Sequence, residues 1–356
     1  MKKHALLVFG IALAALAGCE KENTSEQRFT GIDIEAGDNS SLFILNQGAF
    51  PAASTLDVLN LSTMEYTADI FAAANPDIPL GMGNTGNDMA VIGGRLWVLM
   101  NASNCVAVLD LSTGKLLRSI PVDSPRYIVL KGDYAYVSSY GAAVYGGTPA
   151  KGKVYRIGKE DFSVSSVEAG YQPEGLTVLG EKLYVANSGG FNAQKDNTVS
   201  VIDLATFTLA NTLSLPVSNL CRLFTAGGKM WVSTYAIYDS SYNFVAAASL
   251  GSLDENGAYS AVEGVSPDAV SLCGNTLYAV SGSSLARVDT ASGKVDFAEL
   301  GDLGYVSGMA VNPSTGDIYL AQGNYTGDSR LTCLSSSLER QWDLATGTGT
   351  GPLLVY

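Results

Sequence analysis

Leu183-Tyr184-Val185-Ala186-Asn187, followed ten residues later by Thr198-Val199-Ser200-Val201-Ile202-Asp203-Leu204-Ala205-Thr206, decides how this chain folds. Both halves are short, apolar and strand-like, and turn-forming residues bound them. An aromatic residue inside such a Leu-Tyr-Val run recurs seven times, at Phe43, Trp97, Tyr136, Tyr184, Trp231, Tyr278 and Tyr319. The spacings are 54, 39, 48, 47, 47 and 41 residues. A period in that range, built from strands, is the sequence signature of a β-propeller with four strands per blade.

Each repeat carries more than its anchor. Upstream lies a short apolar strand opened by a polar or Gly-rich turn, as in Gln172-Pro173-Glu174-Gly175-Leu176-Thr177-Val178. A tight turn such as Gly93-Gly94, Gly180-Glu181 or Gly274-Asn275 then leads into the anchor strand. Such turns are hairpin chemistry. Downstream comes a second hairpin, clearest in Val106-Ala107-Val108-Leu109-Asp110-Leu111-Ser112-Thr113-Gly114-Lys115. Inner strands can be apolar on both faces because neighbouring blades cover them, whereas an outer edge strand tolerates charge.

The two ends of the array complement each other. Phe43 has no innermost strand before it, and the terminal Gly351-Pro352-Leu353-Leu354-Val355-Tyr356 has no anchor after it. The expected fold is therefore all-β, a seven-bladed propeller over residues 38–356 whose C-terminal strand completes the first blade. No linker-like break in composition follows Gly37, which disfavours two smaller domains.

The N-terminus reads as targeting sequence. Lys2 and Lys3 precede an apolar run over residues 5–16, too short to span a bilayer but suited to a signal peptide. Leu16-Ala17-Gly18-Cys19 resembles a bacterial lipobox, which implies removal of residues 1–18 and lipidation of Cys19. Residues 19–37 then read as a polar tether, and the expected location is an outer membrane, reached through lipid alone. Glu20 and Glu22 resemble the surface-export signals of Bacteroidota lipoproteins.

Without residues 1–18 the chain holds 19 basic and 34 acidic side chains, a net charge of −15. That argues against nucleic acid and anionic membrane surfaces as partners. His4, the only histidine, leaves with the leader. Ser-His-Asp hydrolysis, His proton shuttling and His-ligated zinc or haem are then excluded. Cys105, Cys221, Cys273 and Cys333 show no Cys-x-x-Cys spacing and read as buried thiols rather than disulfides. No metal motif stands out; Asp196 and Asp239 lie among oxygen donors but in no recognisable calcium loop.

In a propeller, the loops entering each blade's innermost strand and those joining its second and third strands surround one mouth of the channel. The long second-to-third loops, residues 138–152, 187–197 and 234–244, belong to consecutive blades and are expected to form a raised wall. They carry Tyr140, Tyr145, Phe191, Tyr235, Tyr238, Tyr242 and Phe244, a density of loop aromatics that is costly to expose without a use. Some of these rings could instead fold back to cap the blades. The loops entering the innermost strands add Asp88, Arg126, Tyr127, Tyr171, Glu174, Asn219, Arg222, Asp268, Tyr305 and Ser307. Asn46, Asn101, Asn187, Gln322, Asn324 and Tyr325 complete the candidate ligand-binding set. Amides, hydroxyls and aromatic faces suit a large uncharged ligand, not a phosphate.

The motifs around Tyr184 and at residues 198–206 resemble those of YncE-like, or YVTN-repeat, propellers, and the resemblance covers residues 40–356. With the lipobox and the Tyr/Asn-rich face, the chain is similar to the BtuG-type lipoproteins of gut Bacteroidota. That resemblance implies capture of cobalamin or a related corrinoid as transported ligand, with no resident cofactor, and delivery to a TonB-dependent outer-membrane transporter. Propeller motifs specify fold strongly and ligand hardly at all. A lyase or lactonase-type hydrolase and a scaffold or adhesion module therefore stand as the alternatives. The enzyme reading is weakened by the absent histidine, although Tyr and Arg remain near the mouth as an acid and base.

Overall fold

The computed structural model describes Gly31 and residues 37–141, 150–190, 192 and 194–356. Seven four-stranded antiparallel sheets make up a propeller. From the innermost strand outward, blade 2 is Gly86–Ile92, Arg95–Met100, Cys105–Asp110 and Leu116–Pro121. Blade 3 is Pro125–Lys131, Tyr134–Ser139, Lys151–Gly158 and Val164–Tyr171, and blade 4 is Pro173–Leu179, Lys182–Asn187, Thr198–Asp203 and Thr208–Ser214. Blade 5 runs Leu220–Ala226, Lys229–Thr234, Leu250–Leu253 and Tyr259–Ala261, and blade 6 Ala269–Cys273, Thr276–Ser281, Ser284–Asp289 and Val295–Glu299. Blade 7 is Gly308–Val311, Ile318–Gln322, Ser329–Leu334 and Arg340–Thr346.

Blade 1 is built from both ends of the array. The C-terminal strand Thr350–Val355 lies innermost against Ser41–Asn46, which is followed outward by Thr55–Asn60 and Tyr66–Thr67. Leu42 pairs with Val355, Phe43 with Leu354 and Ile44 with Leu353. The expected closure is what the structure contains, and it leaves no open sheet edge at the seam.

The core lies between blades. Trp97, Leu99 and Val106 of blade 2 pack on Ala135, Val137 and Ile157 of blade 3. Tyr184 and Val199 of blade 4 meet Leu220, Met230 and Val232 of blade 5. Tyr319 and Leu331 of blade 7 meet Leu42 and Ile44 of blade 1, which joins the ends of the array by packing as well as by pairing. Six of the seven anchor aromatics are buried, whereas Tyr278 is partly exposed at the edge of its cluster. Burial at about 25 cal/mol per Å² makes these interfaces the main source of cohesion.

Two elements depart from the repeat. A short helix, Ile70–Ala74, fills the crossover from blade 1 to blade 2, with Ile70 and Phe71 buried and Asp69 accepting the Ala72 N–H. Blade 5 inserts a small hairpin, Ile237–Tyr238 with Phe244–Ala246, between its second and third strands. The four cysteines sit on four different blades as thiols. Among the described residues no helix is long and apolar enough to cross a membrane. Cys19, residues 1–18, most of the tether, Tyr145 and Phe191 lie outside the described residues.

Candidate functional site

A repeated backbone irregularity builds the site. In blades 1 to 5 the innermost strand bulges just before its regular pairing begins, so that two of its residues oppose one on the second strand. The bulged pairs are Gly351-Pro352, Asn87-Asp88, Arg126-Tyr127, Glu174-Gly175 and Cys221-Arg222. Bulges of this kind re-aim side chains and are common beside functional sites. The N–H freed at the bulge is answered locally: Ser138 Oγ accepts from Tyr127 at 3.1 Å and Ser233 Oγ from Arg222 at 3.2 Å. Gly175 has no side chain for a packing reason, since a Cβ there would lie 2.7 Å from Arg222 Cα.

The first members of these pairs form a hydrogen-bonded belt across three blades. Arg126 donates from Nε to Glu174 Oε2 at 3.0 Å and from Nη2 to Glu174 Oε1 at 3.1 Å, a two-pronged pair with Glu174 fully buried. Arg126 Nη1 also donates to Asn87 Oδ1, while Asn87 Nδ2 donates to the Arg126 carbonyl. Tyr140 donates its hydroxyl to Glu174 and lies under the Arg126 guanidinium, 4.7 Å from ring centre to Cζ. Among the second members, Arg222 stacks on Tyr127 at 4.3 Å.

These groups border a cavity of about 350 Å³ at the channel mouth. Asp88, Arg126, Tyr127, Cys221 and Arg222 line it, with Tyr235, Asp268, Tyr305 and Tyr325 around them. Burial pushes the Glu174 carboxyl up, against the pull of Arg126. It does the same to Asp88, against the pull of Arg222. Burial would lower Arg126, but Glu174 raises it well above its ordinary value. The Tyr127 hydroxyl is pushed up to about 12 and the Cys221 thiol to about 11, in both cases mainly by burial. Both therefore stay protonated at neutral pH.

The structure gathers only part of the candidate set. Arg126, Tyr127, Arg222, Tyr235, Tyr305 and Tyr325 meet at the mouth, with Glu174 and Tyr140 directly behind them. Tyr140 is not a wall aromatic; its ring is buried and belongs to the ion pair. The amides expected at the mouth are committed elsewhere, because each closes the end of a second strand or a loop. Asn46 bonds Thr55, Asp57 and Thr350, and Asn187 bonds Thr198, Ser200 and the Gly170 N–H. Gln322 reaches Leu303, Arg330 and Thr332, Asn101 the Pro125 carbonyl, and Asn324 the Thr326 N–H. Tyr171 borders a separate cavity of about 660 Å³ with Lys151 and Lys195. Tyr238 and Tyr242 stand exposed on the inserted hairpin, Tyr242 at 89%.

Asp196 and Asp239 hold their own turns, accepting the N–H groups of Thr198 and Tyr171, and of Ser241 and Asn243. No cluster of three or more potential metal ligands occurs among the described residues. Sequence reading missed Asn87, Cys221 and Gln47, whose side-chain carbonyl accepts from the Tyr325 hydroxyl at 2.6 Å. A usable signal exists for the first two. Asn87, Arg126, Glu174 and Cys221 each stand two residues before the first regularly paired apolar residue, Met89, Ile128, Leu176 or Leu223.

No family model matches the sequence, and no curated protein matches it. Solved structures do. Apo AztD from Citrobacter koseri superposes with a TM-score of 0.57 at 10% identity, covering 88% of this chain and 96% of that one. A second structure of Citrobacter koseri AztD gives 0.56 at 9% identity over the same shares. Dihydro-heme d1 dehydrogenase NirN in complex with DHE gives 0.54 at 9% identity, covering 92% of this chain and 77% of that one. At such identities the likeness shows the fold alone.

Proposed function

We propose that this protein is a non-enzymatic ligand-binding propeller whose mouth holds a corrinoid, and that it passes the ligand to a TonB-dependent outer-membrane transporter while anchored through Cys19. The observation that carries the reading is a preformed cavity, lined by Asp88 and Asp268 against Arg126 and Arg222, with exposed tyrosines beside it. Tyr305 and Tyr325 are 65% and 52% exposed beside it, and Tyr235 joins them. Rings left in water around a preformed cavity are contact area awaiting a ligand. At about 350 Å³ the cavity sits at the small end of ligand pockets, which run from about 300 to 1,000 Å³. A corrinoid therefore lies across the mouth and inserts only one of its arms. The neighbour NirN, a dihydro-heme d1 dehydrogenase in complex with DHE, lends support to a ligand-binding propeller.

A general-base role for the mouth tyrosines is disfavoured because burial pushes the Tyr127 hydroxyl up to about 12, away from deprotonation. Calorimetry of the purified protein with cyanocobalamin tests the proposal. The expected result is saturable heat at micromolar protein, little changed between low and moderate salt. Tyr305→Ala should weaken binding by about 1–3 kcal/mol, roughly five- to 150-fold. Absence of heat sinks the corrinoid reading.

A further inference from the structure

Two guanidinium groups face the channel, and their situations differ. Arg126 is neutralised by Glu174. Arg222 has no carboxylate within ion-pair distance among the described residues, although Asp88 attracts it from further away. Its guanidinium is held in place by aromatic faces, 4.3 Å from the Tyr127 ring centre and 5.6 Å from that of Phe224. Arg222 also hydrogen-bonds the Tyr127 side chain, and it borders both the mouth cavity and a second cavity of about 420 Å³ deeper in the channel, so a ligand in either space can reach its remaining donors. A partly buried charge with donors left over is costly unless something accepts from them.

The acceptors around it restrict what that partner can be. Asp88 and Asp268 line the same mouth. A phosphate or a carboxylate would satisfy Arg222 but meet both of these acids, and an ammonium group would meet Arg222. A neutral group that accepts on one side and donates on the other meets neither penalty. The chain already contains such an arrangement one blade pair away, where the Asn87 carboxamide accepts from Arg126 through Oδ1 and donates through Nδ2 to a carbonyl.

We propose that Arg222, with Asp88 and Asp268 as acceptors, is the anchor for a primary carboxamide carried on an arm of the ligand that enters the channel. This rests on the reading of the mouth as a binding site and adds the chemical group recognised there. Other amide-bearing small molecules would use the same anchor as a corrinoid.

The Arg222 Nε–Hε signal in a nitrogen-15 correlation spectrum, identified by its loss in Arg222→Lys, reads the anchor directly. Propionamide should shift it saturably, and propionate and methylammonium at equal ionic strength should not. A response to propionate as strong as that to propionamide would make this an anion site and overturn the proposal, as would no response to propionamide. In parallel, Arg222→Lys and Arg222→Met, each checked for parental melting, should weaken cyanocobalamin binding at least tenfold. Unchanged affinity in both variants overturns the anchor and leaves the corrinoid reading standing. A propionamide response without cyanocobalamin heat does the reverse.

Discussion

Glu174 shows how much one residue controls here. Its carboxylate is buried, and it holds Arg126 by two hydrogen bonds and receives the Tyr140 hydroxyl. Glu174→Ala leaves a guanidinium desolvated without its counter-charge, which costs about 3–5 kcal/mol. Urea denaturation should show that loss, and the double variant Glu174→Leu/Arg126→Met should recover much of it. A loss in the double variant as large as in Glu174→Ala would mean that shape, not charge, sets the cost.

Acid acts on other carboxylates. Asp110, Asp203 and Asp289 each accept N–H and hydroxyl hydrogens in the turn before the outermost strand, which holds their pKa below the ordinary 3.8. A carboxylate lowered on folding stabilises the native state above its unfolded pKa and loses that effect as pH falls through the folded value. Glu174 and Asp88, raised by burial, act in the opposite sense. Asn60 holds the equivalent turn of blade 1 with an amide oxygen, and Asn312 does the same in the turn between the first two strands of blade 7. The triple variant Asp110→Asn/Asp203→Asn/Asp289→Asn should therefore fold and should lose less melting temperature than the parent between pH 5 and pH 3. Parallel declines would show that these turns do not set acid stability.

Among the elements, the bulged start of the innermost strand matters most. It turns an ordinary propeller strand into a donor of two channel-facing side chains. Blade 4 needs glycine there because the backbone of blade 5 passes so close: a Cβ on Gly175 would meet Arg222 Cα at 2.7 Å and the Cys221 carbonyl at 2.8 Å. Gly175→Ala must push the two blades apart at the site, at a cost of about 1–3 kcal/mol. The shift should also reach Arg222, so the variant's Arg222 Nε–Hε signal moves without any ligand. An unmoved signal with parental stability would show that the blades relax elsewhere.

For the whole molecule, closure is the decisive fact. Removing residues 351–356 takes away most of the ladder to Ser41–Asn46 and the packing of Leu353 and Val355 against the blade 7–blade 1 cluster. Full burial of an aliphatic side chain is worth about 1.5–3 kcal/mol, and because both are only partly buried those two together supply less than roughly 3–6 kcal/mol. The truncated protein should melt far below the parent or aggregate through the exposed edge. A melting curve matching the parent's would place closure elsewhere.

Local pattern was enough to read the architecture. Phe43, Trp97, Tyr184 and their counterparts recur because every blade must bury the same face against the next, and that demand writes a period into the chain. The end-to-end pairing was legible for the same reason, since an incomplete first repeat and a surplus last strand admit one solution. The site was legible only in part. Arg126, Tyr127, Arg222 and Tyr305 were found because charged and aromatic residues at strand entries are conspicuous. Asn46, Asn187 and Gln322 look like ligand contacts in sequence, yet they serve the blade, because the third strand of the same blade turns a carboxylate or a hydroxyl toward each of them and the apolar pattern does not reveal that pairing. Tyr140 turned inward for the same reason, drawn by a carboxylate 34 residues away in the next blade. The sequence alone determined the number of blades, the strands and the closure, which follow from burial repeated at short range. Only the tertiary structure decided which polar side chains face the channel, because bulges and contacts between blades set those directions and neither has a local sequence period.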